Sequence, residues 1–96
     1  MTKAEIVANI ATKTGIEKVT VQHTVEAFMD AVKHSMISGD NVYLRGFGSF
    51  VIKRRAEKTG RNISKNTTII IPAHNIPSFK PAKTFVNEVK TKRSNF

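Results

Sequence analysis

The 96-residue chain has no cysteine, no tryptophan, one tyrosine, three prolines and only seven acidic residues. Without cysteine it has neither a disulfide framework nor a thiolate metal site, which suits a reducing compartment. No apolar stretch approaches the ~20 residues of a membrane span. The opening Met1-Thr2-Lys3-Ala4-Glu5 leads into an amphipathic run and does not resemble a signal peptide, so a cytoplasmic protein without a membrane partner is expected. The sequons Asn62-Ile63-Ser64 and Asn66-Thr67-Thr68 are then chance matches. Catalytic signatures are missing too: there is no phosphate-cradling glycine loop, serine elbow or acid pair in an apolar setting. His23 and His34 stand eleven residues apart on one expected helix, roughly 16 Å at 1.5 Å per residue, and His74 is alone. No enzyme, metal or cofactor is expected.

What the chain does have is positive charge, a formal +9 that is unevenly spread. Residues 1–40 hold four lysines against five acids, a net −1, while residues 41–96 hold twelve Lys or Arg against Glu57 and Glu88, a net +10. Such a balance points to nucleic acid or another polyanion as partner, with the front half as scaffold and the back half as binder. The length allows one domain with a modest core.

Taken in order, Thr2 and Glu5 form a capping-box pattern in which each side chain can satisfy a free backbone N–H. Ile6, Val7, Ile10 and Ala11 give the first helix one apolar face until Gly15 stops it. A second helix is expected from about Lys18 to Ser38, striped by Val21, Val25, Phe28, Met29, Val32 and Met36 and closed by a left-handed Gly39. The stripe reads as core packing, part of it across a dimer. Val42 to Arg45 reads as a strand. Gly46-Phe47-Gly48-Ser49-Phe50 should then reverse or kink the chain and turn Phe47 and Phe50 into apolar surroundings. From Ser49 onward, alternation places Phe50, Ile52 and Arg54 on one face and Val51, Lys53 and Arg55 on the other. The return strand Thr68-Ile69-Ile70-Ile71 ends at Pro72, and Asn75 to Phe79 re-enters the body. Lys80-Pro81 should open a last helix with proline in its first position, with Phe85, Val86 and Val89 on its apolar face. The expected order is helix, helix, three strands, helix.

Between the two strand-forming segments, Lys53 to Lys65 packs six Lys or Arg around one acid, Glu57. A protruding ribbon of this composition cannot bury itself, and its cations repel one another until a counter-charge arrives. A nucleic acid backbone is the economical counter-charge. Two other readings carry less weight. Ala11, Gly15 and Val21 fit helix-turn-helix spacing, but from Glu17 to Asp40 there are two lysines against four acids, a poor helix to lay on phosphates. Arg45 to Val51 has part of an RNA-recognition signature, but Ser49 displaces the second aromatic to the opposite strand face and the element order is wrong. RNA stays open as a secondary ligand.

Gly46-Phe47-Gly48-Ser49-Phe50, Arg55-Ala56-Glu57-Lys58-Thr59-Gly60-Arg61-Asn62 and Asn75-Ile76-Pro77-Ser78-Phe79 together resemble the bacterial histone-like HU and integration host factor family, from Met1 to about Lys90. The resemblance implies an α+β fold with two N-terminal helices, a three-stranded antiparallel sheet bearing a long β-ribbon arm, and a short C-terminal helix, in an intertwined dimer. It implies a helical base over about 1–40, sheet and arm over about 41–79 with the arm itself at about 53–74, and a last helix at about 81–92. The dimer core would comprise Phe28, Met29, Val32, Leu44, Phe47, Phe50 and Phe79. Lys53, Arg55, Lys58 and Arg61, with Asn62 and Lys65, would meet DNA along the arm, and Lys3, Lys80 and Lys83 would meet it from the body. Family members usually have a wedge proline after Gly-Arg-Asn and a glycine three residues later. Here those places hold Ile63, itself an apolar wedge of adequate size, and Asn66, which tolerates left-handed backbone. The function implied is nucleoid-associated, architectural binding and bending of double-stranded DNA in the minor groove with little sequence specificity. Whether the second subunit is identical or a paralogue stays open.

Overall fold

The computed structural model describes residues 1–62 and 67–92. Helix α1 spans Lys3–Thr14 and α2 spans Lys18–Ile37. Thr2 caps α1 through its Oγ1, which accepts the Glu5 N–H at 3.3 Å. Only this half of the capping box forms. The Glu5 carboxylate takes the Thr2 hydroxyl at 3.4 Å in place of the Thr2 backbone N–H. Gly15, with φ at 75°, ends α1 and donates its N–H to the Ala11 carbonyl. At the end of α2, the N–H groups of Gly39 and Asp40 reach back to the carbonyls of Met36 and Ser35, closing a Schellman motif around Gly39 at φ 96°.

Five strands follow where three were expected: β1 Val42–Leu44, β2 Gly48–Arg55, β3 Lys58–Asn62, β4 Thr67–Ile71 and β5 His74–Pro81. They form a three-stranded antiparallel sheet, ordered β1-β2-β5, and a two-stranded ribbon, β3-β4. The extra strands come from one interruption in a single long hairpin. Arg55 faces His74 on its near side and Lys58 faces Ile71 on its far side, so Ala56-Glu57 and Pro72-Ala73 oppose each other and neither strand gains a residue. Pro72 has no N–H to give, which opens the ladder there. Register nonetheless runs unchanged from Gly48↔Pro81 out to Asn62↔Thr67.

A tight turn joins β1 to β2. The Phe47 N–H reaches the Leu44 carbonyl at 2.9 Å, with Gly46 left-handed at φ 82°. The chain reverses here, as the two glycines suggested. Helix α3 spans Lys83–Lys92, two residues later than expected. Pro81 is not its first residue. It is held extended opposite Gly48, and the Ala82 carbonyl accepts the first helical N–H, from Val86 at 3.0 Å.

Packing within the chain is sparse. Val7 and Val21, 2% and 4% exposed, are the only buried apolar side chains among the described residues. The stripe on α2 does not close a core: Phe28 is 47% exposed and Met29 is also exposed. Length explains this, because the 12 residues of α1 cannot cover the 20 of α2. The radius of gyration is 19.0 Å, against roughly 12.5 Å for a compact chain of this length. The accessible surface of 8245 Å² exceeds the roughly 5,500 Å² usual for this mass by about half.

Strands β2 and β5 approach each other closely at Gly48. A Cβ there would lie 2.6 Å from the Lys80 carbonyl oxygen and 2.7 Å from the Phe79 ring. Backbone cannot yield as a flexible side chain does, so Gly48→Ala should lower stability by about 1–3 kcal/mol. A urea midpoint equal to that of the unmutated protein would contradict this packing.

Candidate nucleic-acid interface

Strand β2 leaves the body carrying Lys53, Arg54 and Arg55, all exposed. Alternation sets Lys53 and Arg55 on one face, where their cross-strand neighbours are Ile76 and His74, and Arg54 on the other, opposite Asn75. Beyond the interruption, β3 carries exposed Lys58 opposite Ile71, and Arg61 pairs in register with Thr68. The backbone of Asn62 ends the described part of the arm opposite Thr67. Ile63 and Lys65, the expected wedge and tip cation, lie outside the described residues. Arg54 and His74 were absent from the expected set. His74 could be found only through the register, which sets it beside Arg55.

The body cations lie on three elements. Lys80 sits on β5 opposite Ser49, and Lys83 is the first residue of α3. A cation there opposes the helix dipole, an arrangement that a phosphate would relieve. Lys3 opens α1 and reaches Glu26 on α2 at 3.7 Å, the only ion pair among the described residues. Lys53, Arg54, Arg55, Lys58, Lys80 and Lys83 therefore face solvent with no carboxylate in salt-bridge range among those residues. Glu57, in the interruption, pairs with none of them.

Four phenylalanines support the base of the ribbon. Phe79 lies 5.0 Å from Phe50, its register partner, and 5.1 Å from Phe47, while Phe85 of α3 stacks on Phe47 at 5.7 Å. The Ala82 N–H donates to the Phe47 carbonyl and pins the start of α3 to the β1–β2 turn. Phe85 was legible as part of the apolar face of α3, though not as a member of this cluster. The cluster remains open on one side, with Phe47 46% exposed and Phe79 also exposed. Val32, Leu44 and Phe50 are half-buried. Phe79, Pro81, Phe85, Val86 and Val89 line an apolar hollow beside the cluster.

The sequence profile of the family described as bacterial DNA-binding protein matches residues 1–90. The chain belongs to this family. Among its HU relatives, the prophage-derived DNA-binding protein HU 2 of Bacillus subtilis is 39% identical over 92 residues, covering 96% of this chain and all of the relative. DNA-binding protein HU of Geobacillus stearothermophilus is 36% identical over 90 residues, covering 94% of this chain and all of the relative. The Anabaena HU–DNA cocrystal structure superposes with a TM-score of 0.88 at 35% identity, over 93% of this chain and 97% of that one. HU from Thermotoga maritima, at 24% identity and a TM-score of 0.65, shares the fold. The HU-family chain is thus a non-enzymatic DNA-binding protein of the α+β HU fold. Membership replaces the helix-turn-helix regulator as an account of it.

One titration bears on the interface. The Gln22 amide first, and then the Lys3 ammonium, hold the Glu26 carboxyl below its ordinary range. Its folded pKa is depressed, so any stability it lends is present above the unfolded value and lost as pH falls through the folded one. The difference in Tm between the unmutated protein and Glu26→Gln should therefore be constant near neutrality and vanish in acid. A difference that widened as pH fell would contradict the pairing.

Proposed function

We propose that this chain is an architectural DNA-binding protein that acts as an intertwined dimer. Its two basic ribbons enter the minor groove and bend duplex DNA with little regard to sequence. The observation that carries this reading is the ribbon itself, which holds one register from Gly48↔Pro81 to Asn62↔Thr67 and whose Lys53, Arg54, Arg55 and Lys58 have no carboxylate in salt-bridge range among the described residues. Lys53, Arg55, Lys58, Arg61 and Lys65 neutralise phosphates, with Asn62 beside them, while Lys3, Lys80 and Lys83 hold DNA against the body. Lys3 must exchange Glu26 for a phosphate to do so. Ile63 partly unstacks a base step at the tip, at a cost of a few kcal/mol that the wrapped contacts offset.

The dimer reading is supported by what the single chain leaves uncovered. Phe28, Met29, Phe47 and Phe79 are exposed, and Val32, Leu44 and Phe50 are only half-buried. A second copy, or a paralogue with the same face, would complete the core. Minor-groove readout is degenerate, so deformability rather than base identity selects the site. Such a protein belongs with chromosomal DNA in the cytoplasm; among the described residues no helix is long and apolar enough to cross a membrane.

The test is end-to-end fluorescence transfer on a short labelled duplex of arbitrary sequence, titrated across a salt series beside an anisotropy binding curve. Transfer should rise in step with binding. If a dimer neutralises about 6 to 10 phosphates, log K should fall with log salt at a slope of roughly −5 to −9. Ile63→Ala should reduce transfer more than affinity. Binding without any change in transfer would show that the arms coat DNA without kinking it, and a slope near −2 would remove the wrapped geometry. Full competition by single-stranded RNA would reassign the ligand.

A further inference from the structure

Strand β4 is the one free strand edge among the described residues with no device against pairing with another chain. A two-stranded ribbon leaves the outer backbone groups of both strands open, and natural sheets guard such edges with charge, proline or brevity. On the return side β5 contains Pro77 and Pro81, which lack an N–H. On the outgoing side β2 and β3 carry Lys53, Arg54, Arg55 and Lys58. The outer edge of β1 is three residues long. Strand β4, Thr67-Thr68-Ile69-Ile70-Ile71, has neither charge nor proline. All three isoleucines are exposed, Ile70 by 63%. Their cross-strand partners are Gly60, Thr59 and Lys58, and Gly60 offers Ile69 no side chain to lean on. An exposed, uncharged, β-branched strand is what an added strand recognises.

We propose that β4 is an interaction surface for β4 of a second copy, the two arms adding edge to edge as antiparallel strands. A register centred on Ile69 sets Thr67 opposite Ile71 and Thr68 opposite Ile70, which uses all five residues and stops short of Pro72. Charge selects this edge over the other. From Thr67 to Ala73 the return strand is neutral, whereas the outgoing strand carries Lys53, Arg54, Arg55, Lys58 and Arg61. Pairing through β4 leaves the cations on the two outer strands, available to phosphates, while pairing through β3 would bring them together. The contact is two-fold symmetric. If each dimer carries two arms it links dimers into chains, an extension that rests on the dimer reading, as the arm contact itself does not. Five residues a side fall well short of the ~800 Å² per partner of a stable interface. The contact is therefore weak in free solution and strengthens when DNA holds many arms close together.

The cysteine-free chain makes the test direct. Ile69→Cys under mild oxidation at high protein concentration should form disulfide-linked pairs at least tenfold faster than Lys13→Cys, an exposed control on α1. Adding Ile70→Lys should abolish that advantage, and circular dichroism should show its fold intact because Ile70 faces solvent. Sedimentation velocity should show the unmutated protein growing beyond a dimer as concentration rises, while Ile70→Lys alone does not. Cross-linking no faster than the control, or an unmutated protein that stays dimeric at every concentration, overturns the proposal. So does an Ile70→Lys variant that sediments as the unmutated protein does but loses DNA affinity at high salt, which would assign the isoleucines to the groove wall. If every variant starts from a monomer and Ile69→Cys still cross-links selectively, the dimer reading fails and the β4 contact stands.

Discussion

The constraint on which the rest of the structure depends is an apolar core that one chain leaves open. Two buried valines between α1 and α2 cannot offset the conformational entropy of about ninety ordered residues, which runs to order 100 kcal/mol. The remaining apolar surface is not scattered. Phe47, Phe50, Phe79 and Phe85 gather where the ribbon meets the body, and Phe28 and Met29 lie exposed on α2. Building an arm takes residues from the core, and in the proposed dimer a partner subunit returns what the arm removes. In the proposed dimer, the completed core is also what holds each ribbon at a fixed angle to the body.

The arm works on a different principle. It has little to bury, and its backbone pairing resumes in the same register past the interruption at Ala56-Glu57 and Pro72-Ala73. Its charges are almost all on the outgoing strand, and the return strand β4 is neutral and apolar. That asymmetry matches the two tasks proposed for one ribbon, phosphate contacts along the charged strand and strand addition along the neutral one. The body cations differ in how freely they can act, since Lys3 is tied to Glu26 whereas Lys80 and Lys83 are not.

Much of this was legible in the sequence because it depends on local chemistry. Thr2, Gly15 and Gly39 mark helix ends through capping and left-handed backbone, and those boundaries fall where they were read. The basic run from Lys53 onward and the turn at Gly46 were equally plain, and together with the Arg-Ala-Glu-x-Thr-Gly-Arg-Asn segment they identified the family. What escaped depends on pairing between distant residues. Pro81 was read as a helix start because proline suits that position, but its register opposite Gly48 holds it in β5. Glu5 was expected to return the capping bond to the Thr2 N–H and takes the hydroxyl instead. The interruption in the hairpin, the place of His74 beside Arg55 and the exposure of Ile69 to Ile71 all follow from register, which no single stretch of sequence states. Of the apolar stripe expected on α2, Val21 is buried within one chain, whereas Phe28 and Met29 stay exposed.

The most direct test of this account is urea unfolding followed across a hundredfold range of protein concentration. If the core is completed only by a second subunit, folding and association are one equilibrium. The apparent stability should then rise by about 1.4 kcal/mol for each tenfold increase in concentration, carrying the midpoint upward with it. A midpoint independent of concentration, from a species that sediments as a folded monomer, would contradict the claim that the open phenylalanine cluster is half of a shared core.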